Sequence, residues 1–331
     1  MAAQTRTDVV ITGTASLVCA PRAPLAPSRW AGNPAKLQRM DRLCALALVA
    51  CDGALLDAGA QPLDPSQWQG ERVAVVLGTA YGCHATNEDY YRGVLANGPS
   101  GASPRLFAYT LPSSPVGEIS IHYGIKGPAA ALTPGLTAGV DVMAAGLREL
   151  ATGRADRVLV AAAEVASPLL ERLVAGNGST IDRNGSTIPL ADGAAALFLE
   201  RTSDAAQRGA VPRGRLLATA TFFAAGARRQ AVADAVQRAL ALADVGPGAV
   251  TRVLGAAVDV AAVRPLGIDA PAAAAGHAAE ATHAAASDSF GDTLGAAPLI
   301  AAARALAEPN GLFLIVAGDP EGAGSAALLQ T

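Results

Sequence analysis

Short apolar runs and longer periodic ones alternate along the chain. The short runs, bounded by polar, Gly or Pro residues, predict strands. They are VVIT (9–12), RVAVVLGTA (72–80), AALT (130–133), DRVLVAAAE (156–164), GAAALFLER (193–201), RLLATATFF (215–223) and VTRVLGAAV (250–258). The continuous run at 72–80 has the character of a strand buried on both faces. Between the strands, apolar residues return every three or four positions, the period of a helix with one buried stripe. One such stretch covers 39–58, apolar at Leu43, Leu46, Ala47, Ala50 and Ala54, and stops before Gly59. A second, 86–96, opens on Thr86 and Asp89, the form of a capping box with Asp in place of Glu. A third is SPVGEISIHYG, with Pro115 suited to a first helical turn. A fourth runs from about 137 to 152 and ends at Gly153, and RRQAVADAVQRALALADVG forms a fifth. This alternation predicts α/β layers.

The order of elements repeats. A bend at 135–137 leads to a helix ending in ELATGRA, the strand DRVLVAAAEV and the strand GAAALFLER. Later, SFGDTLGAAP leads to a helix ending in ALAEPNG, the strand LFLIVAGDP and the strand GSAALLQT. Both series place an acidic residue at the end of the apolar strand. We therefore expect an internal duplication, with halves at 1–205 and 206–331. The second half is the shorter, and 261–286, rich in Ala, Gly and Pro, is expected to be a contracted connection.

Composition narrows the function classes. The chain has 331 residues, of which 51% are hydrophobic and 16% charged, so it can bury a large core. Aromatics are scarce and Ala and Gly abundant, which predicts closely packed layers of small side chains. The formal charge is −3 and no basic run occurs, which disfavours nucleic acid as a partner. No uncharged apolar run approaches the ~18–20 residues of a spanning helix. MAAQTRTDVVITG passes directly into a strand, without a signal peptide's apolar region, so a cytoplasmic location is expected. Cys19, Cys44, Cys51 and Cys83 form no CxxC or Cys/His cluster. They are read as small hydrophobes, and no metal or cofactor is expected.

The segment LTPGLTAGV (132–140) has the strand, Pro-Gly turn and helix that hold a nucleophile at a sharp bend. The residue in that seat is Leu136, which has no ionisable or lone-pair-bearing side chain. Thr133 and Thr137 are read as a strand residue and a helix N-terminal residue. His84 lies in a turn, YGCHATNED, as a surface or capping residue, and His122 falls on a helix as a structural residue. His277, Glu280 and His283 make HAAEATH, without the spacing of a helical metal site. The stretch GNGSTIDRNGST (176–187) reads as a solvated loop, and Asp192 as a turn residue. There is no G-x-S-x-G elbow and no Walker loop.

Several segments together resemble the β-ketoacyl synthases, condensing enzymes of the thiolase fold. They are GNPAKLQRMDRLCALALVACDGAL (32–55), VLGTAYGC (76–83), PRLFAYTLPSSPVGEISIHYGIKGP (104–128), GRADRVLVAAAE (153–164), ADGAAALFLE (191–200) and GDTLGAAP (291–298). The likeness covers most of 8–200 and is patchy beyond. It implies two βαβαβαββ halves packed as αβαβα layers.

The departures from that family fall on its chemistry. Counted without a gap from Gly127-Pro128, the family's nucleophilic cysteine corresponds to Leu136. In its Lys…Gly-His…Gly-Ala-Ala pattern the lysine position holds Ser287 and the histidine position Asp292. A first catalytic histidine would lie near 256–262, where AAVDVAA has none. The resemblance therefore implies an inactive homologue, the chain length factor of type II polyketide systems. Such a subunit pairs with an active ketosynthase and meets the acyl carrier protein mainly through it. Ala130, Ala131, Leu132 and Thr133 would lie at the dimer axis. Phe107, Tyr109, Leu111, Ser113 and Val116 would form the far wall of the acyl tunnel. Two alternatives stay open at this point: a divergent acyltransferase or hydrolase on the same fold, and a homodimeric protein that binds acyl chains or carrier protein.

Overall fold

The computed structural model describes residues 8–25, 34–60, 62, 64, 68–175, 189–255, 261–268 and 293–331. Ser287, Asp292, His277, Glu280, His283 and the loop 176–187 lie outside them, as do most of 261–286 and residues 256–260.

Among the described residues, nine strands form one sheet. They are β1 (Val9–Cys19), β2 (Val73–Gly78), β3 (Ala129–Leu132), β4 (Arg157–Glu164), β5 (Asp192–Arg201), β6 (Gly214–Phe223), β7 (Arg252–Leu254), β8 (Leu312–Gly318) and β9 (Ala323–Gln330). Their spatial order is β3-β2-β4-β5-β1-β6-β9-β8-β7. The two halves meet where Val10 and Ile11 of β1 pair with Arg215 and Gly214 of β6. On either side of that seam the pairing repeats. β2 runs parallel to β4, β4 antiparallel to β5, and β5 antiparallel to β1. Likewise β7 runs parallel to β8, β8 antiparallel to β9, and β9 antiparallel to β6. Even a register shift is duplicated, between Ile11 and Gly13 in β1 and between Leu216 and Ala218 in β6. The internal duplication is thus present in the hydrogen bonding as well as in the order of elements.

The strand residues alternate between two cores. Val158, Val160 and Ala162 of β4 and Phe313, Ile315 and Ala317 of β8 share one core with helices α6 (Ala138–Ala151) and α10 (Ala297–Ala305). Leu159, Ala161 and Ala163 turn the other way, onto α2 (Arg42–Asp57) and α5 (Ser114–Tyr123). Leu314 and Val316 turn onto α9 (Arg228–Ala243). The outcome is an αβαβα stack with α6 and α10 as the shared middle layer. Those two helices approach closely at Gly139, where a Cβ would sit 2.5 Å from the backbone nitrogen of Leu299.

Several local expectations change. β1 extends to Cys19, well past 12, because TGTASLVC keeps pairing with β5 after the bulge. The capping box at Thr86 and Asp89 is absent, since α3 (His84–Asn97) starts two residues earlier and its N-cap, Cys83, makes no side-chain capping bond. Thr86 is buried and donates instead to Asp41. Asp41 in turn caps α2, accepting the N–H groups of Leu43 and Cys44 at 3.0 and 3.3 Å. Residues 34–39 form their own short helix, α1 (Pro34–Arg39), and Pro104–Phe107 form another, α4. Further helices among the described residues are α7 (Pro168–Ala175) and α8 (Thr202–Gln207). No helix among the described residues is long and apolar enough to cross a membrane.

Candidate functional site at the paired bends

Each half carries a short 3-10 turn that leads into a middle-layer helix, Gly135–Thr137 before α6 and Leu294–Ala296 before α10. Both turns open on a left-handed residue, Gly135 at φ 75° and Leu294 at φ 46°. At Gly135 a Cβ would lie 2.3 Å from Asp319 Oδ2, so glycine is required by both conformation and space.

The acidic residues at the end of β4 and just after β8 each reach across to the other half's turn. Asp319 follows β8 and accepts the Leu136 N–H through Oδ2 at 3.1 Å. Glu164 ends β4 and accepts hydrogen bonds from Thr79 Oγ1 at 2.9 Å and from the N–H groups of Ala80 and Tyr81 at 2.8 and 3.2 Å. The Gly295 N–H adds a further one. Two carboxylates thus hold the two bends reciprocally.

This geometry decides what the first bend can do. Leu136 is half-buried against Ala166, Leu170, Val174, Leu190 and Leu294, together with Tyr81. Its N–H, the donor that an acyl-transfer site would aim at a developing oxyanion, is engaged by a carboxylate. A negative charge there opposes a second one. Thr137 is buried, and its hydroxyl donates to Asp141 Oδ2 at 2.6 Å, with the Pro134 carbonyl at 3.2 Å. Asp141 also accepts from Thr221 and Ser325, at 2.8 and 3.0 Å. Thr133 is exposed beyond the end of β3. Neither threonine is presented by this bend as a nucleophile with a free base.

Glu164 is fully buried, and burial pushes its carboxyl up to about 7 against the pull of its hydrogen bonds. A raised carboxyl pKa means that the folded chain holds a proton the unfolded chain has released. Stability from this group is therefore present below about pH 4.5 and lost as pH rises toward 7, by about 3 kcal/mol in total. His84 and His122, held below their ordinary 6.5 by burial, act in the opposite direction. The Glu164→Gln variant should remove the Glu164 contribution alone. The difference between the denaturation midpoints of wild type and variant should then shift toward the variant between pH 4.5 and 7. A pH-independent difference would show that Glu164 is ionised throughout.

The other expected site residues separate into distinct places. Ala129 and Ala130 are exposed and Ala131 and Leu132 half-buried on β3, which pairs with β2 alone among the described residues. Phe107 and Leu111 are each 63% exposed, Ser113 is exposed, Tyr109 is half-buried and Val116 is buried at 6%. Tyr109 donates its hydroxyl to Glu118 at 3.1 Å. Asp192 is a buried structural residue, accepting from Arg42 Nε at 2.9 Å and from the N–H groups of Arg22 and Ala166 at 3.1 and 2.9 Å. Cys44 and Cys51 are buried thiols pushed far up by desolvation. His122 is half-buried on α5. His84 departs from a surface or capping role: it is half-buried, with Nε2 2.9 Å from Ser167 Oγ. Ser167, Asp319 and Glu164 had drawn no role from the sequence, although the acidic ends of the two strands were visible there.

The family model for the N-terminal domain of β-ketoacyl synthases matches residues 3–205. The ketoacyl synthase alpha subunit of the tetracenomycin polyketide synthase from Streptomyces glaucescens is 31% identical over 198 residues, 54% of this chain and 46% of that one. The chain spans about half the length of the curated relatives it matches. Among solved structures, the ishigamide ketosynthase/chain length factor superposes with a TM-score of 0.78 at 22% identity, covering 97% of this chain and 99% of that one. A type II polyketide synthase acyl-carrier protein in complex with its ketosynthase gives 0.78 at 18% identity, over 99% and 100%.

Proposed function

The chain belongs to the β-ketoacyl synthase family, and from that premise we propose that it is a chain length factor of a type II polyketide system. On this reading it performs no condensation itself. It pairs with an active ketosynthase, completes the acyl tunnel at their interface, and meets the acyl carrier protein mainly through that partner. The halves 1–205 and 206–331 act as one scaffold.

The state of the first bend carries this reading. A condensing site needs a nucleophile and free oxyanion donors. Here the seat holds Leu136 and the adjacent N–H is tied to Asp319. Ser287 and Asp292 stand at the lysine and histidine positions of the family pattern. The shape of the site is kept while its chemistry is not, as suits a subunit retained for assembly.

The edge strand supports the pairing. β3 is short, uncharged and open on one side, and the exposed Phe107 and Leu111 belong to the segment assigned to the same interface. An unpaired apolar edge is an aggregation liability unless covered. Expression with a ketosynthase from the same gene neighbourhood should give a stable heterodimer, and expression alone should give a poorly soluble chain. A soluble monomer indifferent to that ketosynthase would exclude the reading, and a stable homodimer would favour an acyl-chain or carrier-protein binding role.

Phe107, Tyr109 and Leu111 are proposed to limit the tunnel. In the reconstituted pair, Phe107→Ala, Tyr109→Ala or Leu111→Ala should lengthen the product by at least one extension unit, read by mass spectrometry of released chains. An unchanged distribution for all three would leave this segment a packing role only.

A further inference from the structure

Beside the first bend, the structure brings together a hydroxyl and an imidazole that the chain length factor reading does not use. Ser167 stands at the start of α7, and its Oγ is 2.9 Å from His84 Nε2 at the start of α3. Ser167 Oγ already accepts the Leu170 N–H at 3.1 Å. The hydroxyl keeps its proton for a further partner, and with the histidine contact as that partner Nε2 is the acceptor. That assigns the ring proton to Nδ1, which is buried without a well-formed partner among the described residues, while backbone groups of Gly82 and Tyr81 act on the ring. This is the tautomer a general base requires.

The surroundings suit the same chemistry. Burial keeps the imidazole neutral at ordinary pH, and Glu88, one turn along α3, favours the protonated ring once it forms. The Tyr81 ring packs edge-on to the imidazole at 6.4 Å. Ser167 is 5% exposed, and half-buried His84 forms the more open side of the pair. Ser167 directly precedes the first turn of α7, at the positive end of that helix. Ala166, Leu170, Val174, Leu190 and Leu294 make an apolar cluster next to Ser167, and Leu136 packs against it.

We propose that Ser167 and His84 form a hydrolytic dyad that cleaves acyl thioesters, separate from the silent condensation seat at Leu136. Ser167 Oγ attacks the thioester carbonyl while its proton passes to His84 Nε2. The C–S bond breaks and the leaving thiolate takes that proton. Water then attacks the acyl-serine, giving its proton to the same nitrogen, and Ser167 regains it as the carboxylic acid departs. No oxidant or further reactant is needed. The choice of acyl thioester as substrate rests on the chain length factor reading, whereas the nucleophile and base do not.

The soluble fraction of the full chain, folded as judged by circular dichroism, should be treated with a fluorophosphonate at pH 8 and mapped by peptide mass spectrometry. Ser167 should carry the label. His84→Gln should slow labelling at least 100-fold, and Ser167→Ala should abolish it. Hydrolysis of a hexanoyl thioester of N-acetylcysteamine should fall in parallel. Absence of label on Ser167 in folded wild-type chain overturns the dyad, as does labelling that His84→Gln leaves unchanged. Label without thioester hydrolysis overturns the substrate class. None of these outcomes depends on a ketosynthase, so the heterodimer reading stands or falls separately.

Discussion

Ala131→Pro is expected to abolish recovery of the heterodimer while leaving the chain's own fold intact. Val75 and Thr79 donate their N–H groups to the carbonyls of Pro128 and Leu132. The backbone of residues 128, 130 and 132 therefore faces β2, and that of 129, 131 and 133 faces the open edge. Proline at 131 removes an outward N–H and costs no bond to β2. A strand that pairs there would lose a ladder hydrogen bond and meet the proline ring. Co-purification with the ketosynthase should drop at least tenfold, with an unchanged far-ultraviolet spectrum for whatever chain is recovered. Complex at wild-type yield would mean that β3 lies outside the interface.

The largest single loss of stability is expected at Glu200. Its side chain is fully buried at the end of β5 and is held by Arg208 at 2.6 Å, Arg157 at 3.3 Å and Thr12 Oγ1 at 2.5 Å. Arg208 also donates to the Ala58 carbonyl at 2.8 Å, which ties the end of α2 to this cluster. Removing the carboxylate takes from two largely buried guanidinium groups, 19% and 22% exposed, the buried charge they share. Glu200→Ala should cost about 3–5 kcal/mol, read as a lower denaturant midpoint. Glu200→Gln keeps the shape and the Thr12 contact, so a smaller loss there would assign the difference to charge. A loss below about 1 kcal/mol for Glu200→Ala would show that water already screens the cluster.

Much of the architecture was legible because the chain is built of buried strands. The segments at 72–80, 156–164 and 193–201 are almost wholly apolar, and all three became strands. The repeat of turn, helix, acid-ended strand and Gly-Ala strand was also legible, and the mirrored sheet order follows it. β1 was read too short because TGTASLVC lacks an apolar run, yet a bulge at Gly13 lets polar residues stay in the ladder. The start of α3 was misplaced because Thr86 satisfies Asp41 from α2's cap rather than its own helix.

The site was less legible, for a reason of distance along the chain. Leu136 announced an empty seat by its chemistry alone. Nothing local revealed that Asp319, 183 residues on, fills the space beside it. His84 looked like a surface residue because its partner, Ser167, is 83 residues away in a loop with no motif. Side chains brought together from distant points of the chain leave no spacing signal in the sequence.

The crossed carboxylates bear on how such a chain can be inherited. Each half contributes the acid that holds the other's turn, so a half transplanted from a homologue arrives with an acid matched to a turn left behind. Recombination at the middle of the gene would strand a buried carboxylate on one side and a buried N–H on the other. Selection should therefore pass the two halves on as a unit, and shuffled hybrids should survive only when both acids and both turns travel together.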